Sequence, residues 1–203
     1  PKNCHVIPYH SIFSKNSDNS KFKSLIEVGK LYAKLFFKFK PYKPYLLNRR
    51  QLYSYCKEVI RKKNCLLNFL KSHQLNQNEV VFYSYWNNDE VTFLSLCNLL
   101  GYDFKIIARA HEADLYDKNN VNGFFLFREQ NIQGLDKLVL ISNQGLNYIT
   151  NKYPIYKDKF VLSYLGTNKV ASQRVTENNR LQIVSCSYIN KRKRIHLIIE
   201  ILK

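Results

Sequence analysis

Apolar residues between positions 79 and 163 occur in short runs that alternate with helical patterns. The runs predict strands at 80–85, 104–108, 137–141 and 160–163. Helical spacing predicts helices over 89–100, 122–134 and 143–152. Strands that alternate with helices indicate a parallel sheet with right-handed crossovers, so we expect an α/β fold of the Rossmann-like class. The run at 80–85 is largely apolar, as in a strand buried on both faces.

Two helical patterns precede these strands. Residues 25–40 carry apolar side chains at helical spacing, with a separate stripe formed by Lys23, Lys30, Lys34 and Lys38. Such a basic amphipathic helix could lie on an anionic membrane surface, and the same pattern fits a helix that packs on the core with its lysines in solvent. Residues 46–73 predict a second helix, and the apolar patch at 5–12 could be a strand end.

A change of pattern divides the chain. Residues 167–180 are polar and aperiodic and read as a linker, after which 181–186 predicts a strand and 195–202 a helix. We therefore expect an N-terminal Rossmann-like domain at 1–166, an interdomain linker at 167–180, and the start of a second Rossmann-like domain at 181–203. Because the chain begins with Pro1 and contains no Met, we expect a fragment of a longer protein, with little or no activity by itself.

The net charge of the chain indicates what kind of partner it binds. Lys and Arg number 32 against 15 Asp and Glu, which gives a net charge of +17, while 45% of residues are hydrophobic. That composition is globular and excludes a disordered basic tail. The excess charge predicts an anionic partner: nucleic acid, an anionic membrane surface or a phosphorylated substrate. A compositional bias of the genome would account for part of the excess.

Several classes are excluded or disfavoured by what the sequence lacks. No apolar run approaches the roughly 18 residues of a transmembrane helix. The five Cys form no C-x-x-C pair, and their odd number fits a reducing compartment better than a disulfide framework. The Cys and His residues are scattered along the chain and form no zinc-like cluster. No helix-turn-helix, RNP or KH signature is present, so we expect no nucleic-acid partner. A basic nucleic-acid-binding α/β protein is kept as one alternative, and an inactive fragment that binds an acceptor or a membrane is the other.

Two polar segments lie where predicted strands end, which is where ligands bind in open α/β sheets. The first runs from Arg109 through His111 to Asp114 and combines a cation, an imidazole that Asp114 could orient, and two carboxylates. The second, at 185–194, ends in four consecutive cations before a predicted helix, where a phosphate would be held. Tyr85 and Trp86 end another strand and could stack on a sugar. Each segment could also be an ordinary solvated or core-packing loop.

In five segments the chain resembles the retaining bacterial glycosyltransferases of family four, of the capsule and O-antigen type with the GT-B architecture. The segments, in order, are FYSYWNNDEVTFLSL, RAHEADLYD, GFFLFREQNIQGLDKLVLIS, SYLGT and IVSCSYINKRKRIHLIIEIL. The resemblance is good over about 80–203 and weak over 1–79. Its implied activity is transfer of a sugar from a nucleotide-diphosphate donor to a saccharide acceptor, lipid-linked in many members. The implied location is cytoplasmic, peripheral on the inner face of the membrane.

The resemblance also implies roles for particular residues. By resemblance His111, with Arg109 beside it, would lie in the catalytic cleft, and Lys193 would hold the donor diphosphate together with Arg194 or Arg192. The strand-end positions add Asp114 to the catalytic set and make Tyr85 and Trp86 the candidate acceptor-binding residues. Ser187 and Tyr188 stand where the family commonly has a Gly-Arg pair, so Arg192 or Arg194 would replace that arginine. The family's E-x7-E motif would lie beyond Lys203. Neither a cofactor nor a metal is implied, and no D-x-D motif is present.

Overall fold

The core of the structure is a parallel sheet with helices packed against it. In this computed structural model the described residues are 12, 21–38, 49–121, 123–166, 183–189 and 191–202. The chain divides into two units, 1–165 and 166–203, which are described separately. The elements of the first unit are α1 Lys21–Lys38, α2 Arg49–Ser72, β1 Val81–Ser84, α3 Asp89–Leu99, β2 Lys105–Ala110, α4 Glu112–Leu115, α5 Arg128–Gly134, β3 Lys137–Leu140, α6 Asn143–Lys152 and β4 Phe160–Leu162.

The sheet confirms the predicted α/β fold of the Rossmann-like class. Its four described strands are all parallel and lie in the order β1-β2-β3-β4. Ser84 is paired with Ala108, and Ala108 with Leu138, so neighbouring strands end close together at one edge. Each crossover carries a helix, since α3 connects β1 to β2 and α6 connects β3 to β4.

Local signals place the ends of the helices. The Asn88 side chain accepts a hydrogen bond from the Glu90 N–H at the start of α3, and Ser142 Oγ accepts one from the Gly145 N–H in α6. Helix α5 is shorter than the predicted 122–134, because Phe127 adopts a left-handed conformation with φ 58° and the helix begins after it. A left-handed aromatic residue is strained, and Phe127 is held there by burial and by stacking on Tyr55 at 5.1 Å.

Burial of β1 differs from the prediction. Val81 and Tyr83 are 55% and 58% exposed, so the strand is not buried on both faces. Within the described sheet β1 is an edge strand that pairs only with β2, and an edge strand has fewer neighbours to cover it. In β2, by contrast, Ile106, Ala108 and Ala110 are buried.

Helix α1 uses its apolar stripe for packing. Val28, Leu31 and Leu35 are buried in the same hydrophobic core as α2 and the sheet. A partly buried ion pair, Lys63 with Glu27 at 2.7 Å, also joins α2 to α1. Of the two interpretations of this helix, its buried stripe favours core packing with lysines such as Lys30 left in solvent. Across the described ranges no helix is both long and apolar enough to cross a bilayer.

The second unit contains α7, Ile195–Ile201, preceded by a single 3-10 turn at Lys191–Lys193. The helix agrees with the prediction for 195–202, but residues 183–186 of the predicted strand are not in a strand. A strand requires a hydrogen-bonded neighbour, and the described part of this unit offers none. The predicted linker at 167–180 and the patch at 5–11 lie outside the described residues.

Candidate functional site

Two loops meet where the first two strands of the sheet end. Residues 85–88 follow β1, and residues 111–114 follow β2. Because β1 and β2 are adjacent and parallel, both loops leave the sheet at the same edge. This edge therefore brings Tyr85 and Trp86 to His111, as the sequence analysis expected of a ligand site at strand ends.

The carboxylate of Asp114 joins these two loops. Its Oδ1 accepts a hydrogen bond from the backbone N–H of His111 at 2.5 Å, and its Oδ2 accepts one from the backbone N–H of Asn87 at 2.7 Å. Asp114 is buried, so both bonds are shielded from water. Asp114 thus positions the His111 backbone, and the proposed direct contact with the imidazole is not among the hydrogen bonds of the described residues.

The imidazole of His111 lies between two aromatic rings. The ring centroid of Tyr85 is 4.6 Å away and that of Trp86 is 4.3 Å away. His111 is only 9% exposed, and neither of its ring nitrogens has a hydrogen-bond partner in the described part of the chain. A buried imidazole without partners costs free energy that packing elsewhere must offset. Such an arrangement is typical of a group kept for a ligand.

Two arginines lie around this centre. Arg109, predicted from the sequence, is half-buried on β2, and its buried Nε has no partner among the described residues. Arg128, which the sequence analysis missed, is 5% exposed and donates from Nη2 to the backbone carbonyl of Asp114 at 2.5 Å. Its guanidinium also stacks on the ring of Phe125 at 4.2 Å. Burial lowers the pKa of Arg128, which nonetheless stays a cation near neutral pH.

Asn87 is the second residue that sequence reasoning missed. The helix that follows it is capped by the side chain of Asn88, so Asn87 has no capping role. Asn87 is 3% exposed, and neither its amide oxygen nor its amide nitrogen has a partner within the described ranges. The one sequence signal was its place directly after an aromatic strand end.

An apolar cavity of about 410 Å³ adjoins the site. It lies between α2 and β1, and its walls include Phe69, Leu70 and Phe82. Ser84 and Tyr85 also line it, so the cavity reaches the loop that carries the aromatic pair. Its lining suits an apolar group better than a charged one.

The predicted phosphate site belongs to the second unit. Lys193 ends the 3-10 turn, and Arg194, with φ 50°, immediately precedes α7; both are exposed. The cations therefore do precede a helix, as predicted, although the side chain of Arg192 lies outside the described residues. Binding of donor phosphates by Lys193 and Arg194 stays a prediction.

Neither a metal site nor a similar known protein helps to identify the ligand. Among the residues that the structure describes, no three His, Cys, Asp or Glu side chains are grouped as a metal site would require. No protein-family model, curated protein or solved structure matches the chain.

Proposed function

We propose that the protein is a retaining glycosyltransferase that transfers a sugar from a nucleotide-diphosphate donor to a saccharide acceptor during surface polysaccharide synthesis. The observation that carries the proposal is the His111 site at the carboxyl edge of the sheet. It combines aromatic faces, an imidazole and buried cations, in the place where α/β sheets bind their ligands. The five segments that resemble family four support the same activity.

The chemistry of the site suits a sugar. Tyr85 and Trp86 are both about half exposed, so their outer surfaces can stack on the apolar face of a pyranose ring. The nitrogens of His111 can donate to or accept from sugar hydroxyls, and an imidazole can also transfer a proton near neutral pH. Arg109 and Arg128 place positive charge beside the reacting region.

The leaving diphosphate requires positive charge as well. In the proposed reaction Lys193 and Arg194 bind the donor phosphates and stabilise the charge that develops as the glycosidic bond to phosphate breaks. They precede a helix, a position that itself attracts anions. No metal or other cofactor is needed for this role.

The acceptor is proposed to be lipid-linked, with the protein bound peripherally at the inner membrane surface. The apolar cavity beside Tyr85 supports this, since it offers room for an apolar part of an acceptor. The buried stripe of α1 limits its membrane contact to exposed side chains such as Lys30, Leu25 and Ile26. Binding of anionic vesicles that weakens when Lys30 and Lys34 are changed to Glu would support that placement.

The activity is tested on the protein at its full length, by release of nucleoside diphosphate from UDP-, GDP- and dTDP-sugars in the presence of lipid-linked saccharides. His111→Ala should reduce the rate by about 100-fold or more, the usual contribution of a positioned acid-base group. The matched control is His73→Ala, because His73 is exposed just beyond α2 and its ring stacks on Phe69 rather than on Tyr85 or Trp86. Equal rates in the two variants would contradict the proposed role of His111.

A further inference from the structure

Asn87 carries an energetic anomaly that packing does not explain. Its side chain is 3% exposed, yet neither amide atom has a hydrogen-bond partner in the described chain. Two other asparagines of the same unit differ from it. Asn98 donates to the carbonyls of Phe104 and Gly134 at 2.8 and 2.9 Å and accepts from the Phe104 N–H at 2.8 Å. The buried Asn131 lacks a partner for its amide oxygen, but its amide nitrogen donates to Thr92 Oγ1 at 2.9 Å. A buried amide without partners destabilises the fold and is normally eliminated unless it has another use.

The location of Asn87 suggests what that use is. Its backbone N–H and that of His111 are bound by the two oxygens of the same Asp114 carboxylate. The two residues are therefore held side by side, and the described structure provides no hydrogen-bond partner for the polar atoms of either buried side chain. We propose that Asn87 is a ligand-binding residue that acts together with His111 and recognises a neutral, hydroxyl-bearing group.

The kind of ligand follows from the hydrogen-bond donors and acceptors of the Asn87 amide and the His111 imidazole. An amide presents one acceptor oxygen and two N–H donors, and a neutral imidazole presents one donor and one acceptor. A hydroxyl both donates and accepts, so vicinal hydroxyls complement this set, whereas a phosphate would leave the acceptors unmatched. This inference rests on the proposed function, because in that reaction the hydroxyl-bearing group is either the transferred sugar or the acceptor sugar.

Access to the pair requires the aromatic residues to move. His111 is covered by Tyr85 and Trp86, and these residues directly precede Asn87. The turn is held on one side by Ser84 Oγ, which donates to the Trp86 carbonyl at 2.6 Å, and on the other by the bond from Asn87 to Asp114. A ligand that reaches Asn87 and His111 must therefore separate Trp86 from the imidazole.

A stability comparison tests whether Asn87 is structural without any knowledge of the ligand. Asn87→Leu and Asn87→Ala are compared with Asn98→Leu and Asn98→Ala by thermal unfolding of the full chain. At least one Asn87 variant should match or exceed the wild-type Tm, with a gain of about 2–4 °C where an unpaired amide is removed. Both Asn98 variants should lose several degrees, because they leave two carbonyls and one N–H unpaired. The proposal fails if both Asn87 variants lose as much as their Asn98 counterparts.

A binding measurement tests directly whether Asn87 contributes to ligand affinity. UDP-glucose, UDP-galactose and GDP-mannose are titrated while the emission of Trp86, the single tryptophan of the chain, is followed. A probe that shifts the emission of wild type should bind Asn87→Leu at least about 10-fold more weakly, since one hydrogen bond is lost. Equal affinity would overturn the proposal. If none of the probes shifts wild type, the proposed function loses support, and the stability comparison alone decides the role of Asn87.

Discussion

Replacing Asp114 by Ala should separate the two loops of the site. In the structure its carboxylate accepts hydrogen bonds from the backbone N–H groups of His111 and Asn87, at 2.5 and 2.7 Å. The side chain is 8% exposed, so water cannot easily take over either bond. Alanine at this position would leave both N–H donors buried and unpaired.

The magnitude follows from the two bonds. A hydrogen bond to a charged group contributes about 1.5–3 kcal/mol, so two of them contribute about 3–6 kcal/mol. Removal of a buried carboxylate recovers part of this, and we expect Asp114→Ala to lower the free energy of unfolding by about 3 kcal/mol. In a chain of this size that loss lowers Tm by about 6–12 °C. Asp114→Asn keeps one acceptor oxygen and should lose about half as much.

Urea unfolding followed by circular dichroism measures these differences, and the emission of Trp86 reports on the loop separately. Asp103→Ala is the control, since Asp103 is exposed and its replacement should change stability by less than about 0.5 kcal/mol. A loss below about 1 kcal/mol in Asp114→Ala would show that the two bonds do not hold the site together.

Two further predictions concern packing and pH. Gly134→Ala should destabilise the contact between α5 and α3 by about 1–3 kcal/mol, because the new Cβ would lie 2.6–2.7 Å from atoms of Ser95. Gly29→Ala has open space around it and should stabilise α1 by up to about 1 kcal/mol. Equal urea midpoints for the two variants would contradict this. Burial raises the pKa of Cys56 from 9.0 to about 12 and also raises that of Cys97. Stability should therefore be complete below pH 9 and fall as pH rises towards 12, because only the unfolded thiols ionise, and Cys56→Ala should reduce that fall.

Much of the fold could be read from local patterns. The alternation of apolar runs with helical spacing predicted all four described strands of the first unit and their parallel arrangement, and it predicted α6 over 143–152. These signals are local, because a strand or a helix start depends on residues within a few positions. Burial was less predictable: the apolar run of β1 did not indicate that Tyr83 would lie exposed on an edge strand.

The candidate site was predictable in part. Strand ends pointed to His111, Arg109 and the aromatic pair, since the carboxyl edge of a parallel sheet is where polar loops gather. The hydrogen bond from Arg128 to the Asp114 carbonyl could not be predicted from the position of a strand end. It reaches Asp114 across 14 positions from a helix that begins after the left-handed Phe127, and no spacing rule encodes that contact.

The amino-acid sequence by itself therefore determined the four described strands of the first unit and which polar residues follow β1 and β2. Only the tertiary structure decided how those residues meet. It placed the carboxylate of Asp114 on two backbone N–H groups and packed Tyr85 and Trp86 against the imidazole. It also buried the Asn87 side chain with no hydrogen-bond partner among the described residues. Periodicity reports the face on which a side chain lies, whereas hydrogen bonding and burial depend on neighbours that are distant in the chain and are brought together only by the fold.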